Sequence, residues 1–374
     1  MKNGSTAISV TKERLSFLKT EAYSNTKYRE KRTTYGFYIE NMLISCSYNN
    51  VQCSTSDFSL FFSSTYGNCY QYNINSSSKK TIGAAGPGYS LEIELFSGDP
   101  NEELYTYKRG FYVIVHNQSY TPIIDNEGVY ISVGSETNIA IQRNFYSRQS
   151  APFSDCIDDP TSNASSSSEL YKLILNRLGE KMYRQAFCYK MCYQLSVVNN
   201  CSCYDNAYYN TNDTNANIQS CHNDSTVSCM NMIKSYYLVN GFSSLCDQSC
   251  PSECFSVSYT TIVHASTYPT GRYLDLLMQQ KTLTEMFSNS SQYSASLSTY
   301  IQNSVAKINI FYNDLSYNIL IESASITWDV LLGNIGGSLG LFVGISFLSI
   351  IELFEIAFET IRLIYNYKKE IRTI

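Results

Sequence analysis

The stretch Cys188-Tyr189-Lys190-Met191-Cys192-Tyr193-Gln194-Leu195-Ser196-Val197-Val198-Asn199-Asn200-Cys201-Ser202-Cys203 carries four cysteines in one short segment. It belongs to a set of 13 in a chain of 374 residues, most of them between Cys156 and Cys254. Cytosolic reduction would leave such a set as free thiols, so the density points to an oxidising compartment. Zinc is the competing explanation. Cys201-Ser202-Cys203 is a C-x-C rather than a C-x-x-C, and the remaining cysteines lack paired knuckle spacing. Disulfides are therefore expected, with connectivity left open by spacing alone.

Working outward, the rest of the composition agrees. The charged fraction is 16% and the net charge −5, which advertises no basic surface for nucleic acid. Asn3, Asn75, Asn117, Asn163, Asn200, Asn212, Asn223 and Asn289 each begin an N-x-S/T sequon, and none follows Asn289. From Val330 to Ile364 the chain turns strongly apolar, with Glu352, Glu355, Glu359 and Arg362 confined to its second half. About 20 apolar residues suffice for a tilted helix to span a bilayer. Arg362, Lys368, Lys369 and Arg372 then mark the tail, residues 366–374, as cytosolic. The body before the span must lie outside, yet residues 1–40 hold no apolar run long enough for a leader or a span. An upstream segment that carries the body across is expected.

Periodicity outlines the body. Tyr35–Tyr48 and Ser56–Ser64 read as short helices, with Ser56 as N-cap before Asp57. Tyr89–Phe96, Gly110–His116, Val129–Val133, Thr137–Phe145, Phe255–His264 and Lys307–Thr327 alternate as strands do. Leu170–Gln185, Pro269–Gln280 and Gln292–Ala306 have helical spacing. Strands, a helical insert and strands again predict one interleaved α+β body rather than serial domains.

Three blocks in this order resemble the epithelial sodium channel/degenerin/acid-sensing ion channel superfamily. The first runs Asn41…Cys46…Cys53…Asp57-Phe58, then Tyr66-Gly67-Asn68-Cys69-Tyr70-Gln71-Tyr72-Asn73. The second is Cys188-x3-Cys192-x-Gln194-x6-Cys201-x-Cys203, which departs from the superfamily's usual residues at Ala186 and Met191. The third is Leu331-Leu332-Gly333-Asn334-Ile335-Gly336-Gly337-Ser338-Leu339-Gly340-Leu341-Phe342-Val343-Gly344-Ile345-Ser346, followed by Glu352 and Glu355. The resemblance covers the chain from about Tyr35 to its end.

That resemblance implies a hand-like extracellular domain over residues 35–325, with a β-sheet palm and ball, finger and knuckle, and a helical thumb at about 155–253. One transmembrane pore helix would follow at 326–365; residues 1–34 would be a finger remnant or linker. It pairs Cys46–Cys53, Cys156–Cys254, Cys188–Cys250, Cys192–Cys246, Cys201–Cys229 and Cys203–Cys221. Cys69 would pair with a cysteine after a first span upstream of this sequence. It also implies a trimeric, gated, sodium-selective, amiloride-sensitive cation channel of the plasma membrane. Its partners would be sodium ions, the lipid bilayer and two further identical or related subunits, and it would need no cofactor.

Within the third block, the resemblance implies that Gly344, Ile345 and Ser346 take the selectivity position, where a narrow ring of backbone carbonyls replaces part of the hydration shell of Na⁺. Gly333, Asn334, Gly336, Gly337 and Gly340 belong to the gate and outer pore. By the resemblance, Gly333 stands where bulk holds relatives open, and Asn334 replaces an acid of acid-sensing members. Gly336, Gly340 and Gly344 recur at every fourth residue, a pattern that also suits close helix packing. Glu352 and Glu355 form an inner acidic ring, while Glu359 and Arg362 are read as an interfacial i,i+3 pair. The three histidines, His116, His222 and His264, lack a catalytic arrangement, and no nucleophile elbow, P-loop or metalloprotease motif is present. Two other classes compete: a truncated, non-conducting or regulatory subunit, and a single-pass cysteine-rich adhesion receptor. The receptor gives no reason for a glycine-rich span with acids below it.

Overall fold

In a computed structural model the described residues are 33, 36–344 and 347–371, apart from 64–65, 75–78, 100–107, 119–121, 123–126, 158–169, 171–173, 175–182, 206–217 and 280–296. The chain divides into two units, Met1–Ile321 and Glu322–Ile374.

The first unit is built on a six-stranded sheet. Its strands β1 (Leu43–Tyr48) and β2 (Val51–Gln52) form a hairpin turned by Asn49 and Asn50, both at positive φ (51° and 61°). Two consecutive left-handed residues are the requirement of a type I′ turn, which asparagine tolerates. This hairpin corrects the helical expectation for Tyr35–Tyr48. Ile39–Asn41 forms a 3₁₀ turn, and Leu43–Tyr48 pairs with β5 (Leu91–Phe96), whose ladder hydrogen bonds and packing override local propensity. Ser56–Ser64 is corrected likewise. Ser54, not Ser56, caps a single 3₁₀ turn at Thr55–Asp57, in a capping box with Asp57. Phe58–Ser63 is strand β3, paired with β4 (Gly67–Tyr72).

Strands β6 (Gly110–Val113) and β7 (Val129–Ser132) make a second two-stranded sheet. The long β8 (Ser135–Ser147) returns to the main sheet, where β9 (Phe255–Thr267) and β10 (Val305–Ile321) flank it in the order β2-β1-β5-β10-β8-β9. Strands β10 and β8 run parallel, which needs a long crossover, and the whole helical insert lies between β8 and β9. Alternation divides this sheet into two faces. Ile139, Ile141, Ala306 and Ile308 are buried on one, packed with Leu95 and Cys46. On the other, Lys307 Nζ lies 3.5 Å from Glu92 and 3.2 Å from Glu136. Beside it the buried Glu94 accepts from Ser45 (2.7 Å), Tyr268 (2.8 Å) and Tyr273 (2.5 Å). Burial and the neighbouring carboxylate push the Tyr273 phenol up to about 12.

The helical insert holds α1 (Gln185–Cys201), α2 (Asp224–Asn240) and the short α3 (Phe242–Cys246). Of the helix expected at Leu170–Gln185, most lies outside the described residues; Leu170 and Ile174 are buried in the core that α1 also faces. After β9 come α4 (Gly271–Gln279) and α5 (Leu297–Gln302). The helix expected to run to Ala306 stops earlier, because Val305 and Ala306 are already paired with Phe96 and Leu95 in the sheet.

The second unit holds α6 (Trp328–Ser338), a π-helical turn at Leu339–Val343, and α7 (Phe347–Ile371). The one continuous helix expected over 326–365 is thus corrected to two, because Gly344 takes a left-handed conformation (φ +69°) that ends the first. Among the described residues no helix is long and apolar enough to cross a membrane. The break divides the apolar stretch, and charged residues occupy α7.

Candidate permeation segment

Thr327 is the extended residue that starts α6, and Asp329 lies in its first turn, where a carboxylate suits the helix N-terminus. Gly333, Asn334, Gly336 and Gly337 are in α6, and Gly340 is in the π turn. A Cβ built on Gly333, Gly336, Gly337 or Gly340 would meet nothing within 4 Å. Nothing inside the described chain therefore demands a missing side chain at these positions. Gly344 differs: its positive φ excludes other L residues at low cost. Ile345 and Ser346 lie outside the described residues.

Around this backbone large apolar side chains stand exposed. Trp328, Leu341 and Phe342 are 80%, 80% and 83% exposed, and Leu353, Phe354 and Phe358 are also exposed in α7. Contiguous apolar exposure of this kind marks a membrane or protein contact. Glu352, Glu355, Glu359 and Arg362 all stand exposed on the same helix. The i,i+3 ion pair expected of Glu359 and Arg362 is not among the ion pairs of the described residues.

The cysteine-rich insert is a braced assembly. Its bridges are Cys156–Cys254, Cys188–Cys250, Cys192–Cys246, Cys201–Cys229 and Cys203–Cys221, with Cys46–Cys53 closing the β1–β2 hairpin. These are the six pairs implied by the resemblance. Cys69 is on β4, its thiol 3.7 Å from the Gly67 carbonyl. Each bridge is typically worth ~2–4 kcal/mol by restricting the unfolded chain.

One residue of the quoted motif has a role that spacing does not reveal. Gln194, fully buried in α1, donates to the Asp205 carbonyl (3.2 Å) and accepts from the Asp205 amide (3.1 Å). Its amide thus holds the segment after Cys203 by both backbone groups, as only a donor–acceptor side chain can. Tyr193 donates to the Asp205 carboxylate (3.0 Å), and Lys234 of α2 approaches it at 4.0 Å. A polar residue one position after a buried tyrosine was the available signal. At the base of the insert, Arg184 makes a two-pronged pair with Glu127 (3.1 and 2.5 Å). Of the histidines, His116 has Nδ1 2.9 Å from the Asn117 carbonyl and His222 has Nδ1 2.8 Å from the Ser220 carbonyl, while His264 of β9 stands exposed opposite Asn138 of β8.

Comparison with known proteins fits this architecture. The degenerin del-1 of Caenorhabditis elegans is 27% identical over 89% of this chain and 46% of its own length. The epithelial sodium channel subunit gamma of Neoceratodus forsteri is 25% identical over 87% of this chain and 47% of its own. The human epithelial sodium channel subunit alpha is 28% identical, with 87% and 46% covered. The chain thus spans about half the length of the curated relatives it matches. Residues 2–356 match the amiloride-sensitive sodium channel family, to which this chain belongs, a family of ion channels and not of enzymes.

Proposed function

We propose that the chain is a subunit of a trimeric, gated, sodium-selective cation channel of the amiloride-sensitive kind, seated in the plasma membrane with residues 35–325 outside. Ions pass along a pore lined by the segment 326–365 from three identical or related subunits. The observation that carries this reading, beside family membership, is the helix break at Gly344, where α6 gives way to a π turn and a left-handed glycine. Irregular backbone at membrane depth is tolerated only where it is buried in protein or lines a wet cavity. That break supports a filter at Gly344, Ile345 and Ser346, where a narrow ring of carbonyls replaces part of the hydration shell of Na⁺. Gly333, Asn334, Gly336, Gly337 and Gly340 form the gate and outer pore, and the open space at the four glycines supports close approach by neighbouring helices. Glu352 and Glu355, repeated by symmetry, favour cations over anions below the filter. The disulfide-braced insert is the lever that relays movement toward the membrane.

The test is electrical. Expressed in oocytes from its complete reading frame, alone and with related subunits, the protein should carry an inward current blocked by amiloride. The reversal potential should follow external Na⁺. A surface-expressed protein whose expression adds no current, or whose current ignores Na⁺ replacement, would overturn the proposal.

A further inference from the structure

Helix α7 is continuous from Phe347 to Ile371, so the angular positions of its residues follow from about 100° per residue. On that wheel Glu352, Glu355, Glu359 and Arg362 fall within one arc of about 80°. Leu353, Phe354 and Ile361, 63%, 71% and 65% exposed, lie on the far side. Thr360 also lies off the charged arc, but it donates to the Ile356 carbonyl (2.7 Å) and so asks nothing of its surroundings. The spacings three, four and three between the charged positions follow a heptad seam, which keeps one stripe turned toward a bundle axis along its whole length. From Glu352 to Arg362 that stripe runs about 15 Å.

The four charges share another property. All are exposed, and among the described residues none has an ion-pair partner in its own chain. A charge within a span faces water or a partner. Arg362 falls on the same stripe as the three acids, not on the apolar side, so what the acids face it faces as well.

We infer that Glu359 and Arg362 line the ion path together with Glu352 and Glu355, and that the Arg362 guanidinium is a positive brake at the inner end of the pore that limits cation flux. This rests on the channel reading above and goes beyond it, for it adds a flux-setting residue of opposite sign to the acidic ring. The order is acid, acid, acid, base toward the C-terminus. Cations gather along the upper seam and then meet a ring of fixed positive charge, repeated by symmetry, before they leave.

The experiment uses the conducting channel in excised patches, with single-channel conductance as the readout. Arg362→Gln, which keeps length and polarity, should raise unitary Na⁺ conductance about twofold or more, since clustered charges shift local potential by several kT. Arg362→Lys should stay near the parent value. In Arg362→Cys, a cationic methanethiosulfonate applied from the cytosolic side should return the conductance toward the parent, and an anionic one should raise it further. Ile361→Cys, on the far side, should respond to neither. Parent-like conductance in Arg362→Gln, or an Arg362→Cys channel that neither reagent changes, overturns the inference while leaving the channel intact. A parent protein that carries no Na⁺ current is the separate failure of the channel reading.

Discussion

Single side chains settle how the cysteine-rich insert is held. Gln194 sits between Cys192 and Cys201 without bridging anything itself, yet its amide claims both backbone groups of Asp205. Gln194→Met keeps the volume and removes both partners, leaving a buried N–H and C=O unsatisfied. A loss of about 2–4 kcal/mol is expected, read as a lower thermal midpoint with all bridges intact; an unchanged midpoint would count against the clamp. A second residue-scale test concerns protons. Lys80 donates to Asp57 at 2.6 Å, a pair with side chains 32% and 27% exposed, and lies 4.8 Å from the Tyr72 ring. Its hydrogen bond holds the Asp57 carboxyl below its ordinary 3.8 and, reciprocally, the Lys80 ammonium above 10.5. The signs are opposite. The aspartate contribution is in place above pH 3.8 and goes as pH falls through the lowered value; the lysine contribution is in place below 10.5 and goes as pH rises through the raised one. Asp57→Asn should therefore lower the midpoint at neutral pH, where the aspartate contribution is in place, and converge on the parent at the acid end, so that the acid limb flattens. Thermal midpoints taken from pH 3 upward would check this, and an acid limb identical to the parent's would refute it.

At the scale of elements, legibility followed the kind of force involved. Strands β5, β7, β8, β9 and β10 were visible because one face is apolar and the other polar, as Ile308 and Lys307 are on β10. The hairpin at β1 and the strand β3 were missed for a different reason. Leu43-Ile44 and Phe61-Phe62 are adjacent apolar pairs that suit a helix face as well as a strand, and only pairing with β5 and β4 decides. The start of β10 at Val305 was hidden by the apolar spacing of the preceding helix. In the candidate site the resemblance named the residues, but the interruption of the span needed backbone geometry. Helical periodicity runs through Gly344 without a mark, because glycine fits a helix poorly but does not forbid one. At φ +69° an alanine would be strained by ~1–2 kcal/mol. Gly344→Ala should thus favour a straighter segment and draw carbonyls back into helical hydrogen bonds. The expected result is a lower Na⁺-to-K⁺ permeability ratio at unchanged surface level, measured by bi-ionic reversal potentials. An unaltered ratio would mean that the break does not shape the filter.

For the whole molecule, the informative quantity is the difference between what glycine does within one chain and what it does between chains. Inside the chain, Gly336 and Gly340 have open space where a side chain would go. Replacing Gly336, in the interior of α6, with leucine should even stabilise the isolated helix, by about 0.8–1 kcal/mol, the usual penalty of glycine. In the proposed trimer the sign reverses between chains, because three helices meeting through a glycine face could not close over added leucines without separating. Gly336→Leu together with Gly340→Leu should consequently leave the disulfide-braced first unit folded, as judged by resistance to protease and by the intact bridges. The same variant should lose assembly. Photobleaching of labelled protein in the membrane should show three steps for the parent and fewer for the variant, and current should fall in proportion. Three steps retained at full current would mean that the glycine face does not serve subunit contact, whatever else it does in the span. A variant that also lost protease resistance in the first unit would locate the effect in folding, and the glycines would then answer to a contact within the chain.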